Sequence, residues 1–290
     1  MAVLIFPGQG SQFSGMGKEL YESREDARKW FDSADEILGF ELSRIMFDGS
    51  DEDLKQTQVT QPAVFLNSFV RFIIDKDSHQ PDAVGGHSLG EFTALCANGV
   101  LKFEDALKLV HQRALAMQEA CDNTNGTMAA ILGLEDAIVE DICKNTEGIV
   151  VAANYNCPGQ LVISGEVEAI ERAVISAQEA GARRALVLNV NGAFHSPLME
   201  SAKESLANAI SDTHFNDALV PVYQNVNAKA ETESDNIKKN LIDQLTSSVR
   251  WTQTMQNMIA DGNEEYTEFG AKVLSGFFRR VDRNLNITQV

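Results

Sequence analysis

The chain has 290 residues, of which 44% are hydrophobic and 23% are charged, and this composition is typical of a globular protein. Its 24 lysines and arginines stand against 42 aspartates and glutamates, which gives a formal net charge of −18. Such a charge repels the phosphate backbone and argues against nucleic-acid binding. No apolar run approaches the roughly 20 residues that cross a bilayer, so we expect a soluble protein with no membrane association.

The four cysteines show neither a CxxC spacing nor a Cys/His spacing of the kind that holds zinc. We therefore predict no metal site and no disulfide framework, and we expect a reduced, cytoplasmic chain. The apolar N-terminal segment 2–6 is too short for a signal peptide and has no basic flank. It predicts a buried first strand instead.

In chain order, helical patterns follow this strand over 16–38 and 60–75. A short apolar stretch at 83–84 then leads into a glycine-rich turn and a helix of small residues that ends at Ala97. A further helix is predicted over 103–120. The alternation of helices with short apolar strands indicates an α/β sheet with helices on both faces.

Residues 127–190 follow the order β-α-β-β-α-β, which is that of a ferredoxin-like unit. The predicted strands and helices are 127–132, 135–143, 149–154, 161–164, 167–180 and 184–190. We interpret this unit as a small subdomain over 126–191, inserted into a larger catalytic subdomain made of 1–125 and 192–290. The larger part resumes with a helix from Pro197, a strand over 219–223, and helices near 236–246, 252–261 and 272–281.

The pentapeptide Gly86-His87-Ser88-Leu89-Gly90 matches the G-x-S-x-G pattern of a nucleophile elbow. In such an elbow a serine stands on a sharp turn between a strand and a helix, and the flanking glycines remove side chains that would collide. The helix that follows also directs its positive end at the serine. A plain glycine-rich loop is the alternative. The uninterrupted strand and helix around Ser88 favour the nucleophile.

A serine nucleophile requires a base, and His195 is the best candidate among the five histidines. It lies between a predicted strand and the pair Ser196-Pro197, which is suited to the start of a helix. His79 and His214 fall in polar loops, and His111 falls on the polar side of its helix. His87 is adjacent to Ser88, so its side chain should diverge from the hydroxyl. The alternative is that His195 is a loop histidine without a role.

Arg113 falls within the apolar stripe of the helix over 103–120. A guanidinium in that position must reach solvent or find an anion. One hypothesis is an internal salt bridge to a carboxylate of the protein. The other is a clamp for a substrate carboxylate, which suits the planar guanidinium.

The segment Gly8-Gln9-Gly10-Ser11-Gln12 matches neither a Walker A motif nor a dinucleotide-binding motif. Its glycines would let the backbone approach a substrate. A contribution to an oxyanion hole and an uninvolved loop both remain open.

Taken together, five segments resemble the malonyl-CoA:acyl carrier protein transacylase family of bacterial fatty-acid synthesis. They are Phe6-Pro7-Gly8-Gln9-Gly10-Ser11-Gln12, Gln61-Pro62-Ala63, Gly86-His87-Ser88-Leu89-Gly90-Glu91, Gln112-Arg113 and Gly192-Ala193-Phe194-His195-Ser196-Pro197-Leu198-Met199. The resemblance runs from residue 3 to about 280. It implies an α/β-hydrolase-like large subdomain with the ferredoxin-like insertion. It also implies transfer of malonyl from malonyl-CoA to the thiol of acyl carrier protein, with no cofactor and no metal, by a protein expected to be a monomer.

The resemblance implies a role for each matching residue. Ser88 would attack the thioester, and His195 would move the proton, oriented by the main-chain carbonyl of Gln244. The amides of Gln9 and Leu89 would form the oxyanion hole. Arg113 would bind the malonyl carboxylate. The predicted substrate-binding set is completed by Phe194, Asn154 and His87.

The family pattern differs from this chain at Ser247-Ser248 and at Gly270-Ala271-Lys272, both near the segment expected to orient the histidine. The chain also ends early, so we expect a terminal helix of the family to be missing. Four basic residues, Lys272, Arg279, Arg280 and Arg283, are expected to cluster in the last helix and to form a docking patch for acidic carrier protein. A solvated helix end is the alternative.

Three other functions remain open. A stand-alone acyltransferase of a polyketide synthase would use the same residues as a transferase of fatty-acid synthesis. A serine esterase or thioesterase would use the Ser88/His195 pair but would gain nothing from a buried Arg113. A protein that only binds acyl carrier protein would need none of the three side chains.

Overall fold

The computed structural model of the protein describes residues 1–190 and 192–290, which form a mixed α/β fold with two sheets. The strands are β1 (Ala2–Phe6), β2 (Ala83–Gly86), β3 (Gly126–Leu132), β4 (Val150–Cys157), β5 (Gln160–Glu166), β6 (Arg184–Val187), β7 (Val222–Tyr223), β8 (Ala230–Glu231), β9 (Glu265–Glu268) and β10 (Asn286–Gln289). The α-helices are α1 (Lys18–Ser23), α2 (Glu25–Leu38), α3 (Leu42–Asp48), α4 (Asp51–Lys55), α5 (Thr57–Ile73), α6 (Leu89–Ala97), α7 (Phe103–Asp122), α8 (Asp136–Asn145), α9 (Val167–Glu179), α10 (Glu200–Ser211), α11 (Ser234–Gln244), α12 (Trp251–Ala260) and α13 (Leu274–Val281). None of the described helices is both long enough and apolar enough to cross a membrane.

The larger sheet has the strand order β10-β9-β1-β2-β7-β8. Its first five strands are parallel, and β8 pairs antiparallel with β7. Because the carboxyl ends of β1 and β2 meet at the same edge, the loops that follow them lie side by side. The His87 N–H donates to the Phe6 carbonyl at 3.0 Å, which fixes these two loops against each other. This edge of the sheet carries the site described below.

The two faces of β1 pack into different parts of the core. Leu4 and Phe6 belong to a large cluster that includes apolar residues of α2, α5, α6 and α7. Val3 and Ile5 belong to a second cluster with residues of α12 and α13. The apolar run over 2–6 is therefore buried on both sides, as expected for a central parallel strand. Burying one such side chain contributes about 1.5–3 kcal/mol to stability.

The smaller sheet has the order β4-β5-β3-β6, and all its neighbouring strands are antiparallel. One face packs against α8 and α9 around Ile131 and Ile163. The other face directs Met128 and Val162 toward the main core. This second face forms one wall of the cavity next to the larger sheet.

The segment that follows α11 is tied to the edge of the smaller sheet. Val249 donates to the Ala153 carbonyl at 2.8 Å and accepts from the Tyr155 N–H at 2.9 Å. The Ser248 hydroxyl donates to the Ala152 carbonyl at 2.6 Å. Ser247 and Ser248, where the chain differs from the family pattern, thus lie in an anchored segment just after the end of α11 at Gln244.

Several predicted elements differ from the observed ones. The segment 16–38 forms two helices rather than one. Arg24 has extended backbone angles (φ −132°, ψ 116°), so it ends α1 and serves as the N-cap of α2. The strand expected over 219–223 is only Val222–Tyr223, and the one over 184–190 ends at Val187. The sequence patterns do not predict α3, α4, β8, β9 or β10. In β9 the buried face includes a charged residue, Glu268, so the usual apolar alternation is absent.

The four basic residues expected in the last helix do not all lie in it. Arg279 and Arg280 are in α13, whereas Lys272 precedes this helix and Arg283 follows it. All four side chains are exposed. After α13 the chain continues into β10, which pairs in parallel with β9.

Candidate active site

Ser88 stands on the sharp turn between β2 and α6. Its backbone has φ 52° and ψ −105°, which is unusual for a residue with a side chain. A Cβ atom at Gly86 would collide with the backbone of Gly90, and one at Gly90 would collide with the backbone of Phe6. Glycine is therefore required on both sides of the serine. The Ser88 N–H is held by the Asn225 side chain, whose Oδ1 accepts it at 2.6 Å.

The structure brings His195 to Ser88 although 107 positions separate them in the sequence. The distance between Ser88 Oγ and His195 Nε2 is 2.8 Å. On the other side of the ring, Nδ1 lies 2.9 Å from the main-chain carbonyl oxygen of Gln244. A carbonyl oxygen only accepts, so Nδ1 carries the ring proton and Nε2 is free to accept one from the hydroxyl.

The environment of His195 keeps its imidazole neutral. Its side chain is buried, and burial lowers the pKa of His195 from 6.5 to about 3. The positive charge of Arg113 acts in the same direction, whereas the hydrogen bond to Gln244 opposes it. A neutral imidazole at physiological pH can take a proton from the serine, as a general base must.

Arg113 is a buried cation on α7 whose contacts are neutral. Nη1 donates to Gln61 Oε1 at 2.6 Å, and Nη2 donates to Gln244 Oε1 at 3.1 Å and to Ser88 Oγ at 3.2 Å. The guanidinium also lies over the Phe92 ring at 5.3 Å. In the described part of the chain, Nε has no partner and no carboxylate forms an ion pair with this arginine.

The charge of Arg113 is only partly compensated from within the protein. Its side chain is 1% exposed, and burial lowers the pKa of Arg113 to about 10, so it stays charged at neutral pH. The carboxylate of Glu91 acts on it from a distance and raises that pKa. The described residues form no salt bridge with Arg113, which is the first of the two hypotheses for this residue. A cation held by neutral groups retains the capacity to bind an anion.

Gln9 and Leu89, the two residues whose amides are predicted to form an oxyanion hole, lie in a loop and at the start of a helix. Leu89 is the first residue of α6, and Gln9 lies in the loop after β1 and lines the cavity in front of Ser88. Neither N–H donates to any acceptor within residues 1–190 and 192–290. The loop after β1 lies close to the turn, because a Cβ atom at Gly8 would collide with the His87 carbonyl.

A cavity of about 430 Å³ opens in front of Ser88 and His195. It is lined by residues of the smaller sheet, of neighbouring helices, and of loops that include those after β1 and β2. Among them are Gln9, Gly10, Gln12, Gln56, His87, Met117, Met128, Asn154, Val162, Leu188 and Phe194. Arg113 does not line it, but its Nη2 donates to the Oγ of Ser88, a lining residue, at 3.2 Å. A carboxylate that reaches Arg113 from the cavity can bind Nε, which has no partner among the described residues, or replace one of the neutral partners of the Nη atoms.

Three further predicted residues lie on the wall of this cavity. Phe194 is buried beside His195, with 7% of its surface exposed. Asn154 Oδ1 is buried and has no hydrogen-bond partner among the described residues. His87 turns away from the serine hydroxyl, and its Nε2 lies 2.9 Å from Asn156 Oδ1.

Several side chains that hold this arrangement together have no role that the sequence alone predicts. They are Gln61, Glu91, Asn225 and the side chain of Gln244. Gln61 and Glu91 belong to segments that resembled a family, but no local pattern indicated what they contact. Among the described residues, no group of three or more His, Cys, Asp or Glu side chains is placed to hold a metal ion.

Comparisons with known proteins identify the family of the chain. The profile of the acyl transferase domain family matches residues 3–271. A malonyl CoA-acyl carrier protein transacylase of Bacillus subtilis (strain 168) is 45% identical, over 99% of this chain and 92% of its own. The crystal structure of an acyl carrier protein S-malonyltransferase from Vibrio cholerae is 41% identical and superposes with a TM-score of 0.95, over 100% of this chain and 96% of the other.

A third similar structure is a malonyl-transacylase in complex with its type II PKS acyl-carrier protein. It is 36% identical, with a TM-score of 0.96 over 100% of this chain and 95% of the other. Identities of this size over nearly whole chains exceed what a shared fold alone requires. The chain therefore belongs to the acyl transferase domain family, among the malonyl CoA-acyl carrier protein transacylases.

Proposed function

We propose that the chain transfers the malonyl group of malonyl-CoA to the phosphopantetheine thiol of acyl carrier protein, in fatty-acid synthesis, through a malonyl ester on Ser88. The observation that carries this proposal is the position of Arg113, whose Nη2 lies 3.2 Å from Ser88 Oγ while all its partners are neutral. A nucleophile beside a cation whose charge is only partly compensated suits an acyl group that bears a free carboxylate.

In the first half of the reaction, Ser88 Oγ attacks the thioester carbonyl carbon, and its proton passes to His195 Nε2. The resulting oxyanion would be bound by the Gln9 and Leu89 amides, whose N–H groups donate to no acceptor among the described residues. When the C–S bond breaks, the imidazolium returns its proton to the leaving thiolate of CoA. The products are CoA and malonyl-Ser88.

In the second half, the phosphopantetheine thiol enters the cavity and gives its proton to His195. The thiolate attacks the ester, the C–O bond breaks, and Ser88 Oγ regains the proton. The reaction needs the two substrates and these side chains, without a cofactor or a metal ion. The Gln244 carbonyl holds the imidazole in the tautomer that both halves require.

The malonyl carboxylate would bind Arg113 in place of its contacts with neutral groups. Two parallel N–H···O hydrogen bonds from a planar guanidinium to a carboxylate are stronger than those it makes to amides or a hydroxyl. Phe194, Asn154 and His87 would line the remainder of the acyl and pantetheine path. The unpartnered Asn154 Oδ1 is suited to accept an N–H of the pantetheine amides.

We interpret the fold as an α/β-hydrolase-like large subdomain over 1–125 and 192–290 with a ferredoxin-like insertion over 126–191. The antiparallel order β4-β5-β3-β6 supports this interpretation, since the chain order of the unit is β-α-β-β-α-β. The separate apolar cluster between this sheet and α8 and α9 supports it as well.

Acyl carrier protein is the second proposed partner. A similar structure holds a transacylase together with such a protein. The exposed basic residues Lys272, Arg279, Arg280 and Arg283 could offer charges to an acidic partner, on a chain whose net charge is −18. We further expect a monomer in the cytoplasm, where the four unpaired cysteines would stay reduced.

Intact-mass measurement after mixing with malonyl-CoA tests the proposal. The wild-type chain should gain the mass of one malonyl group, and Ser88→Ala should gain none. Added carrier protein with its phosphopantetheine arm should then remove that mass and become malonylated. Release of free malonate without carrier protein would instead identify an esterase. Absence of any label from malonyl-CoA would contradict the proposal outright.

A further inference from the structure

Glu91 is a buried carboxylate one helical turn beyond Ser88, and it is not among the described residues that line the cavity. Its side chain has no exposed surface. Oε2 accepts the Asn225 N–H at 2.8 Å and Gln244 Nε2 at 3.0 Å, and Oε1 accepts Gln224 Nε2 at 3.0 Å. Three N–H donors thus converge on one carboxylate that contacts no substrate.

Gln244 Nε2 donates to Glu91 Oε2 at 3.0 Å and to the Ser88 carbonyl oxygen at 3.2 Å, and these contacts direct the NH₂ end of the amide away from Arg113. An ionised carboxylate can only accept hydrogen bonds, so it attracts the NH₂ end of the amide. The oxygen end is left to face the guanidinium, and Gln244 Oε1 lies 3.1 Å from Arg113 Nη2. If the amide turned round, its NH₂ group would face the guanidinium, and two donors would then oppose each other.

The contact with Asn225 acts on the serine rather than on the arginine. The Asn225 side chain accepts the Ser88 N–H and donates to the Gly86 carbonyl at 2.7 Å. It therefore holds the strained turn. A loss at this point should affect every acyl group alike, since all of them react with the same hydroxyl.

We infer that Glu91 is a positioning residue that sets the preference for a carboxylate-bearing acyl group, by fixing the orientation of the Gln244 amide and through it the guanidinium of Arg113. This inference rests on the proposed function, because it concerns the binding of the malonyl carboxylate. It adds a residue that touches neither the substrate nor the reacting atoms.

The charges around Glu91 agree with this role. Burial raises the pKa of Glu91 to about 7, and its N–H donors and the positive charge of Arg113 oppose that rise. Arg113, on α7, is the charged group that acts on it. The groups facing it from α11 and from the segment after β7 are the neutral amides of Gln244, Gln224 and Asn225. Above pH 7 the carboxylate is ionised and accepts from all of them.

Glu91→Gln tests the inference, with Glu268→Gln as a matched control. Glu268 is also buried, and its carboxylate accepts three N–H groups, those of Val273, Leu274 and Ser275 at 2.7–2.9 Å. It caps α13 and takes no part in the proposed reaction. Both substitutions put an amide in place of a buried carboxylate with three donors, so their general cost to the fold should be similar.

The measured quantity is the ratio of Ser88 acylation rates with malonyl-CoA and with acetyl-CoA, in the full-length chain at pH 8. Glu91→Gln should lower this ratio at least tenfold, through a higher KM for malonyl-CoA, and Glu268→Gln should leave it within twofold of wild type. An unchanged ratio in folded Glu91→Gln would overturn the inference. So would an equal fall in Glu268→Gln, since that would indicate a general effect of destabilisation.

Gln244→Met provides a second variant in case Glu91→Gln does not fold. It removes the amide that carries the effect and keeps the main-chain carbonyl that contacts His195. The ratio should fall in Gln244→Met too, and adding Glu91→Gln to it should lower the ratio no further. An unchanged ratio in Gln244→Met would contradict an effect of Glu91 that acts through Gln244. So would a double variant in which Glu91→Gln lowers the ratio as much as it does in the wild type.

The same assay separates this inference from the proposed function. If the wild-type chain is not acylated by malonyl-CoA at all, the proposed function fails and the ratio has no meaning. If the wild type is acylated and prefers malonyl-CoA while Glu91→Gln shows the same preference, only the role of Glu91 fails.

Discussion

Arg113 Nη2 lies 3.2 Å from Ser88 Oγ, the same oxygen that lies 2.8 Å from His195 Nε2. The hydroxyl therefore has a base on one side and a cation on the other. The cation lowers the basicity of the imidazole as long as no anion offsets it. A malonyl carboxylate on Arg113 would supply that anion, whereas an acetyl group would not.

The first prediction concerns removal of the guanidinium. In Arg113→Ala a malonyl carboxylate would enter a buried site without a partner, which costs roughly 2–5 kcal/mol. We expect the acylation rate with malonyl-CoA to fall by a factor of about 30 or more, and the rate with acetyl-CoA to be kept or raised. Stopped-flow or quenched-flow acylation with both thioesters measures this.

A matched control for this variant is Arg71→Ala. Arg71 is a partly buried arginine on α5 with a weak 3.4 Å contact to Asn67, outside the site. Its removal should leave the ratio of the two rates unchanged. Equal losses for malonyl and acetyl in Arg113→Ala would count against a carboxylate clamp.

The second prediction concerns a carboxylate introduced into the protein next to Arg113. Gln61 Oε1 accepts from Arg113 Nη1 at 2.6 Å, so Gln61→Glu would form an ion pair within the protein. The substrate carboxylate would then meet a neutralised guanidinium. KM for malonyl-CoA should rise at least tenfold, and acylation by acetyl-CoA should change much less. A variant that keeps the wild-type preference for malonyl-CoA would show that Arg113 does not need its free charge.

The third prediction follows from the buried imidazole. The folded-state pKa of His195 is about 3, below the ordinary value of 6.5, so the unfolded chain binds a proton below pH 6.5 that the folded chain refuses. This group therefore costs no stability above pH 6.5 and costs about 1.4 kcal/mol per pH unit below it, until pH 3.

Urea unfolding of wild type and His195→Gln at several pH values measures this cost. Between pH 6.5 and pH 5 the free energy of unfolding of the wild type should fall by about 2 kcal/mol more than that of the variant. Other titrating groups contribute to both proteins and cancel in the difference. If the free energy of unfolding changed equally with pH in both proteins, His195 would have an ordinary pKa in the folded state.

The fourth prediction concerns the residue that holds the turn. Asn225→Ala removes the acceptor of the Ser88 N–H and the donor to the Gly86 carbonyl. Leaving such buried groups without partners costs about 1–3 kcal/mol each, and the strained turn should relax. We expect lower stability and slower acylation by malonyl-CoA and acetyl-CoA in equal proportion. A selective loss of malonyl transfer would contradict a role confined to the serine.

The comparisons confirm the family that the motifs predict. These motifs can be recognised in the sequence because each one lies within a short segment of the chain. Gly86 and Gly90 flank Ser88 within five residues because the turn itself requires them. Arg113 was recognisable because a guanidinium in an apolar stripe conflicts with its surroundings. Features of this kind leave a pattern in consecutive or helically spaced residues.

The contacts that support the site leave no such pattern. Asn225 is 137 positions from Ser88, and Gln244 is 131 positions from Arg113. An asparagine or glutamine in a sequence is usually a surface residue, and only the folded chain shows that these are buried. The strand β9 was missed for a related reason, since its buried Glu268 caps α13 rather than joining an apolar face.

The most direct test of the central claim is a crystal structure of the malonylated chain, trapped with malonyl-CoA in the absence of carrier protein. We expect an ester on Ser88 with its free carboxylate within about 3 Å of both Arg113 Nη atoms, in the bidentate geometry of such pairs. A malonyl ester whose carboxylate points into the open cavity, with Arg113 still bound to Gln61 and Gln244, would contradict it.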